Sequence, residues 1–144
     1  NMHRWTAHLM VMFVSLHMLR VFLTGAYKPP RELNWIVGVI LLVLTMLSSF
    51  TGYLLPWDQL AYWGVTIGCS MGENAPLLGA KGPFALLESG KDVNSILVGG
   101  AAVGQPTLLR FYLLHAIALP LGITGLMGFH FWRIRRAGGV SGPL

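Results

Sequence analysis

Charged side chains leave long apolar gaps in this sequence. Leu33 to Leu55 carries none, and Phe111 to Trp132 carries none. Trp5 to Leu19 is equally free of them before Arg20 interrupts an apolar stretch that continues beyond it. A helix crossing the hydrocarbon core of a bilayer needs roughly 20 mostly apolar residues. Two gaps meet that length outright, and the first meets it if Arg20 snorkels its guanidinium to the interface. The pattern predicts spans over about 2–25, 33–55 and 107–133. The first connection, Gly25 to Asn34, is short and carries a Pro29-Pro30 stop, with Asn34 placed to cap the second span. The second connection, 56–106, is long and too apolar for a disordered linker. Leu60 to Ile67 and Pro83 to Leu87 are mostly apolar, and one or two short helices are expected at the membrane surface, closed by the glycine-rich stretch from Gly99 to Gly104. The expectation is an all-α membrane protein: one membrane domain over 1–144, a transmembrane helical bundle with short surface helices in its long second loop.

Composition agrees. Of 144 residues, 54% are hydrophobic and 10% charged, where a soluble domain carries about a quarter charged. The net charge of +5 raises the question of nucleic acid. The basic residues sit at the ends of apolar spans, so membrane topology accounts for them. Arg20, Lys28, Arg31, Arg133, Arg135 and Arg136 against Glu32 give +5 to the first connection and the C-terminal end. The long loop sums to −1, from Lys81, Lys91 and Arg110 against Asp58, Glu73, Glu88 and Asp92, and Arg4 adds the last +1. By the positive-inside rule the first connection and the C-terminus face the cytoplasm, stroma or matrix, and the long loop faces the other side. The sequence then opens in the middle of an apparent span, which predicts a further span upstream. No basic leader or small-residue cleavage site is visible. The single cysteine, Cys69, excludes an internal disulfide and any C-x-x-C-H haem attachment within these residues, and reads as a packing residue.

Ionisable residues inside membrane spans are costly and are functional candidates by default. The first span carries His3, His8 and His17; the last carries His115 and His130. At about 100° per residue, the step from His3 to His17 falls about 40° short of four turns, so the two share a face about 21 Å apart. The step from His115 to His130 is longer by one position; it passes four turns by about 60° and rises about 22 Å. Two helices with matched pairs can place one histidine each at two depths, and each facing pair can ligate a haem iron axially. Gly38 and Gly52 on the middle span repeat the spacing of His3 and His17, as a flat macrocycle packed on a helix requires. Glycine also serves plain helix packing, and a single membrane histidine more often bonds a neighbouring helix than a metal. Four at paired spacing favour ligation. His8 has no counterpart and reads as an interhelical contact.

The sequence resembles the cytochrome b family, and more closely its short, split type. The likeness is carried by His3-Arg-Trp, Leu16-His-Met-Leu-Arg20, Tyr27-Lys-Pro-Pro-Arg-Glu-Leu-Asn-Trp35, Thr51-Gly-Tyr-Leu-Leu-Pro-Trp-Asp-Gln59 and Thr107-Leu-Leu-Arg-Phe-Tyr-Leu-Leu-His115. The Pro-Trp-Asp-Gln motif, the longer spacing of the last histidine pair and the ending Val140-Ser-Gly-Pro-Leu144 point to the split type. The resemblance implies that three of four haem-bundle helices are present, the first being absent. It implies two b-type haems: a low-potential one on His3 and His115, and a high-potential one on His17 and His130. The depth argument gives the same pairing. It implies a quinol–cytochrome c or plastocyanin reductase that oxidises quinol, reduces quinone on the far side and translocates protons. Implied partners are a Rieske iron–sulfur protein, a c-type cytochrome, a separate subunit with the C-terminal half of cytochrome b, and a second copy of the complex in a bacterial or thylakoid-type membrane. An additional covalent haem would attach to a cysteine upstream of these residues.

Within that frame Arg4 and Arg110 are candidates for the propionates of one haem and Arg20 for those of the other; interfacial anchoring is the plainer role of each. Pro56, Trp57, Tyr62 and Gly64 border the family's quinol-oxidation region, although a proline stop and an aromatic belt explain the same residues. Arg135 is a candidate on the quinone-reducing side. Asp58 is not assigned as proton acceptor, and Pro120 is expected to kink the last span. Two other readings stand beside this one: a di-haem anchor of another quinone-linked oxidoreductase, and a haem-free transport or structural subunit whose histidines line a pathway.

Overall fold

The structure is a computed structural model and describes residues 1–139 except Leu78 and Ser89. The ending Val140 to Leu144, used above as a family signature, lies outside the described residues. Among these the fold is all-helical. Three helical stretches are long and apolar enough to cross a membrane: Met2–Leu23, Glu32–Leu54 and Gln105–Arg136.

Helix α1 is Met2–Leu23. It stops at Gly25, whose φ of +68° is open to glycine at no steric cost. Gly25 N–H bonds Phe22 O at 3.1 Å and Ala26 N–H bonds Val21 O at 3.0 Å, so the last carbonyls are satisfied by backbone. Helix α2 is Glu32–Leu54, with Glu32 favourably placed at the positive end of the helix dipole. Asn34 does not cap it. The turn after Pro30 is already helical, Trp35 N–H bonding Arg31 O at 3.0 Å, so Asn34 falls inside the first turn.

The surface segment holds two helices. Helix α3, Gln59–Glu73, is capped by Asp58, whose carboxylate accepts from Ala61 N–H at 2.7 Å. Helix α4, Val93–Val98, is capped by Asp92 at its start and ends on Gly99 in the left-handed region. Glu73 ties the two together, accepting from Lys81 Nζ at 2.6 Å and from Asn94 Nδ2 at 2.8 Å. The last span begins as α5, Gln105–Leu113, passes through a π-helical turn at Leu114–Ala118, and continues as α6, Leu119–Arg136.

The chain divides into two compact units. One comprises Asn1–Ser49 with the chain from Leu119 onward, and so holds α1, most of α2, and α6. Neither α1 nor α6 buries a single residue completely, and Phe13, Phe22 and Leu121 are 58%, 57% and 70% exposed. Apolar surface on that scale fits helices whose solvent is lipid. The other unit, Phe50–Ala118, has its own apolar centre of Leu54, Val65, Cys69, Val98 and Phe111. Helix α3 seats on the end of α2 through two glycines one turn apart. A Cβ on Gly64 would stand 2.9 Å from the Tyr53 ring, and one on Gly68 would stand 2.6 Å from the Phe50 ring. Thr107, fully buried, joins α4 to α5: its hydroxyl donates to Val98 O at 2.7 Å and accepts from Gly104 N–H at 3.1 Å.

Candidate functional site

In the first unit, the penultimate turn of α1 presents His17 and the penultimate turn of α6 presents His130. Their ring centroids are 6.4 Å apart with planes at 81°. Gly38 of α2 lies against the pair: a Cβ there would stand 3.7 Å from His130 Cε1 and 3.6 Å from Met18 Sδ, ordinary contact distances. A cavity continues from the histidines, lined among others by Arg31, Asn34, Trp35 and Gly38. Three of its side chains carry buried polar atoms without a partner: His130 Nδ1, Arg31 Nε and Asn34 Oδ1. Such atoms cost about 1–3 kcal/mol each when nothing satisfies them. Arg31 is 8% exposed, which is unusual for a cation with an unpaired nitrogen.

This donor set fits an iron porphyrin. An imidazole nitrogen ligates a transition metal at about 2 Å, and its ring centroid lies about 1 Å further back, so two imidazoles facing across one ion have centroids about 6 Å apart. The observed separation of 6.4 Å is of that size. A buried guanidinium beside the pair suits a carboxylate. The cavity beside the pair has a volume of ≈ 40 Å³.

In the second unit, His115 sits within the π-helical turn. Thr51 Oγ1 of α2 is 3.3 Å from His115 Nδ1, and Thr51 is buried. Gly52 faces the same ring more tightly than Gly38 faces His130: a Cβ would stand 2.6 Å from His115 Cε1. Helix α2 therefore offers a glycine to each histidine of the last span, with a hydroxyl beside one of them. His3 is exposed in the first turn of α1, and Thr6 Oγ1 donates to its carbonyl at 3.0 Å. His8 packs edge-on to Trp5, ring centroids 6.2 Å apart.

The remaining candidates have local surroundings. Arg4 and Arg20 are exposed on α1. Arg110 Nη1 donates to Ile96 O, so its guanidinium closes the end of α4. Trp57 takes a positive φ of 53° after exposed Pro56, and its ring meets Tyr62 edge-on at 6.1 Å. Gly64 is small because Tyr53 needs the space. Arg135 borders an open groove on α6 with Gly128, Phe131, Trp132 and Ile134. Cys69 is buried in the apolar centre. Burial, with Glu73 nearby, pushes its thiol up from the ordinary range, which disfavours the reactive thiolate.

Sequence reasoning missed Thr51, Arg31 and Asn34 as site residues. Thr51 stands directly before Gly52, and a polar residue beside a glycine on the ligand-facing side of an apolar span is the available signal. Arg31 carried none, because a cation at a span end is what topology alone demands.

Apolar helices that bring two histidines together against a glycine fit one class, the helical membrane proteins that hold a metal macrocycle. Comparison narrows it. The profile of the family described as Cytochrome b(N-terminal)/b6/petB matches residues 8–143. Cytochrome b6 of Gracilaria tenuistipitata var. liui is 47% identical over 144 residues, that of Oltmannsiellopsis viridis 48%, and that of Acaryochloris marina (strain MBIC 11017) 46%. Each alignment covers 100% of this chain and 61% of the relative, so the chain spans about three-fifths of the curated relatives it matches. The chain belongs to the cytochrome b family, of the split b6 type, and is a haem-binding integral membrane protein.

Proposed function

We propose that the chain is the haem-carrying part of a cytochrome b subunit in a quinol–cytochrome c or plastocyanin reductase. It would pass electrons across the membrane from a quinol-oxidation site to a quinone-reduction site, with proton translocation. The observation that carries the reading is the His17–His130 pair, at metal-bridging separation against Gly38. His17 and His130 would hold the high-potential b haem; His3 and His115 would hold the low-potential one. When bound, the two haems supply one-electron carriers at two depths.

The chain's own residues do the rest. Thr51 would orient the His115 ring by engaging Nδ1; partners of this kind orient a ligand and raise its basicity. Arg31 is better placed than exposed Arg20 to receive a propionate beside His130. Apolar helices around the histidines keep the dielectric low, which tunes potential. Trp57, Tyr62 and the turn at Pro56 would flank the quinol site, and Arg135 would lie toward the quinone-reducing side. Quinol oxidation would send one electron to a Rieske protein and the other through this chain. A c-type cytochrome, the C-terminal-half subunit and a second copy of the complex would complete the assembly. The C-terminal end would face the cytoplasm or stroma.

A reduced-minus-oxidised spectrum with redox titration tests this on the membrane-embedded complex. Two b-type components are expected, and His17→Ala and His130→Ala should each abolish the same higher-potential one. Absence of a b-type alpha band with all four histidines intact rules the reading out.

A further inference from the structure

Helix α2 and the last span count differently. The step from Gly38 to Gly52 on α2 is one position shorter than the step from His115 to His130, the histidines those glycines meet. In α-helical geometry, at about 100° per residue, the glycine step ends about 40° short of four turns and the histidine step about 60° beyond. A regular last helix would therefore turn one histidine about 100° away from the register of its glycine. Yet each contact is made: Gly38 reaches His130 at 3.7 Å and Gly52 reaches His115 at 2.6 Å, measured from an added Cβ.

The extra residue goes into the π-helical turn at Leu114–Ala118. Its i→i+5 bonding takes up more chain per turn than the α-helix, so the longer histidine step covers the rotation of the glycine step. The cause is in the sequence. In an α-helix Ala116 O would accept from the N–H of residue 120, and Pro120 has none. The carbonyls preceding Pro120 must find other partners, and the wider turn lies immediately before it. We infer that Pro120 and the π-helical turn set the register of the last span, absorbing the surplus residue so that His115 and His130 each present at the α2 glycine opposite. Pro120 is thus a positioning residue for both ligands, beyond being a kink.

This rests on the reading of His115 and His130 as ligands of two different haems, and the unaltered protein tests that reading separately. Two variants test the register in the intact membrane complex, read by haem content per chain and by the two midpoint potentials, without recourse to turnover. Pro120→Ala combined with deletion of Ile117 removes both the proline and the surplus residue. It leaves a plain α-helix whose histidine step equals the glycine step, and it should retain two haems with potentials unchanged. Deletion of Ile123 alone shortens the helix but keeps Pro120 and the wide turn; it should lose the haem of the His17–His130 pair and keep the other. The inference is overturned if the first variant loses a haem or fails to accumulate, or if the second keeps both. An unaltered protein with no b-type haem would instead remove the reading beneath it.

Discussion

The Thr51 hydroxyl, 3.3 Å from His115 Nδ1, is a polar contact to a candidate ligand ring in the second unit. In the tautomer whose Nδ1–H donates to it, the imidazole would gain electron density and favour the oxidised metal. Thr51→Val should therefore raise the potential of one haem, leave the other unchanged, and weaken retention of the first by about 10- to 100-fold. Redox titration reads this, and two unmoved potentials would remove Thr51 from the site. The glycines predict an asymmetry. Gly52→Ala puts a methyl 2.6 Å from the His115 ring and must displace it, whereas Gly38→Ala places one at ordinary contact distance from His130 and Met18. Haem content per chain should fall far more for Gly52→Ala than for Gly38→Ala. The histidines were legible because an ionisable group in an apolar run is conspicuous. Thr51 was not, since threonine is at home in membrane helices and its partner lies far along the chain, on another helix.

Helices show where pattern reading works and where it stops. The all-α class followed from uncharged runs long enough to span, and the helical fold agrees. The cap of α2 did not follow: Asn34 looked like a cap, while the backbone turned helical earlier. Rotational arithmetic along the last span assumed a regular helix and left the histidine pair about 60° out of phase. Only backbone hydrogen bonding reveals the π-helical turn, and the sequence clue was Pro120. The seat of α3 on α2 was equally hidden, because it needs Tyr53 and Phe50 to meet Gly64 and Gly68. Gly68→Ala should overpack that seat and cost about 1–3 kcal/mol, measurable as earlier thermal loss of the surface segment to proteolysis. Helix α4 adds a pH dependence. The Ser95 hydroxyl and N–H donate to the Asp92 carboxylate and hold its pKa below the ordinary range. That stabilisation is present above about pH 4 and is lost as pH falls through the depressed value. Hydrogen exchange of the α4 amides should quicken below that point in the parent chain, and Asp92→Asn should lose the dependence.

At the scale of the molecule, charge asymmetry predicts which way the chain would sit. The first connection and the C-terminal end sum to +5 and the long surface segment to −1, with Arg4 at the opposite end of α1 from the first connection. Translocation of short loops is governed by their basic residues, so the two groups should face opposite compartments. The single native cysteine makes a direct test practical. Cys69 is 5% exposed and its thiol is pushed up by burial, so it should react slowly with maleimide near neutral pH. It should quicken only as pH rises toward its raised value, the same rise that removes the stability its protonated form contributes. A cysteine introduced at Lys91, exposed in the surface segment, and one at Arg136, exposed at the end of α6, then report separately. In sealed vesicles of one orientation an impermeant maleimide should label one and spare the other, with the pattern exchanged in vesicles of the opposite orientation. Labelling of both from one side would mean an even number of crossings between them. That outcome contradicts a last span running once across the bilayer between Arg110 and Arg133, and with it the proposed separation of two haem depths and the proposed transmembrane electron transfer.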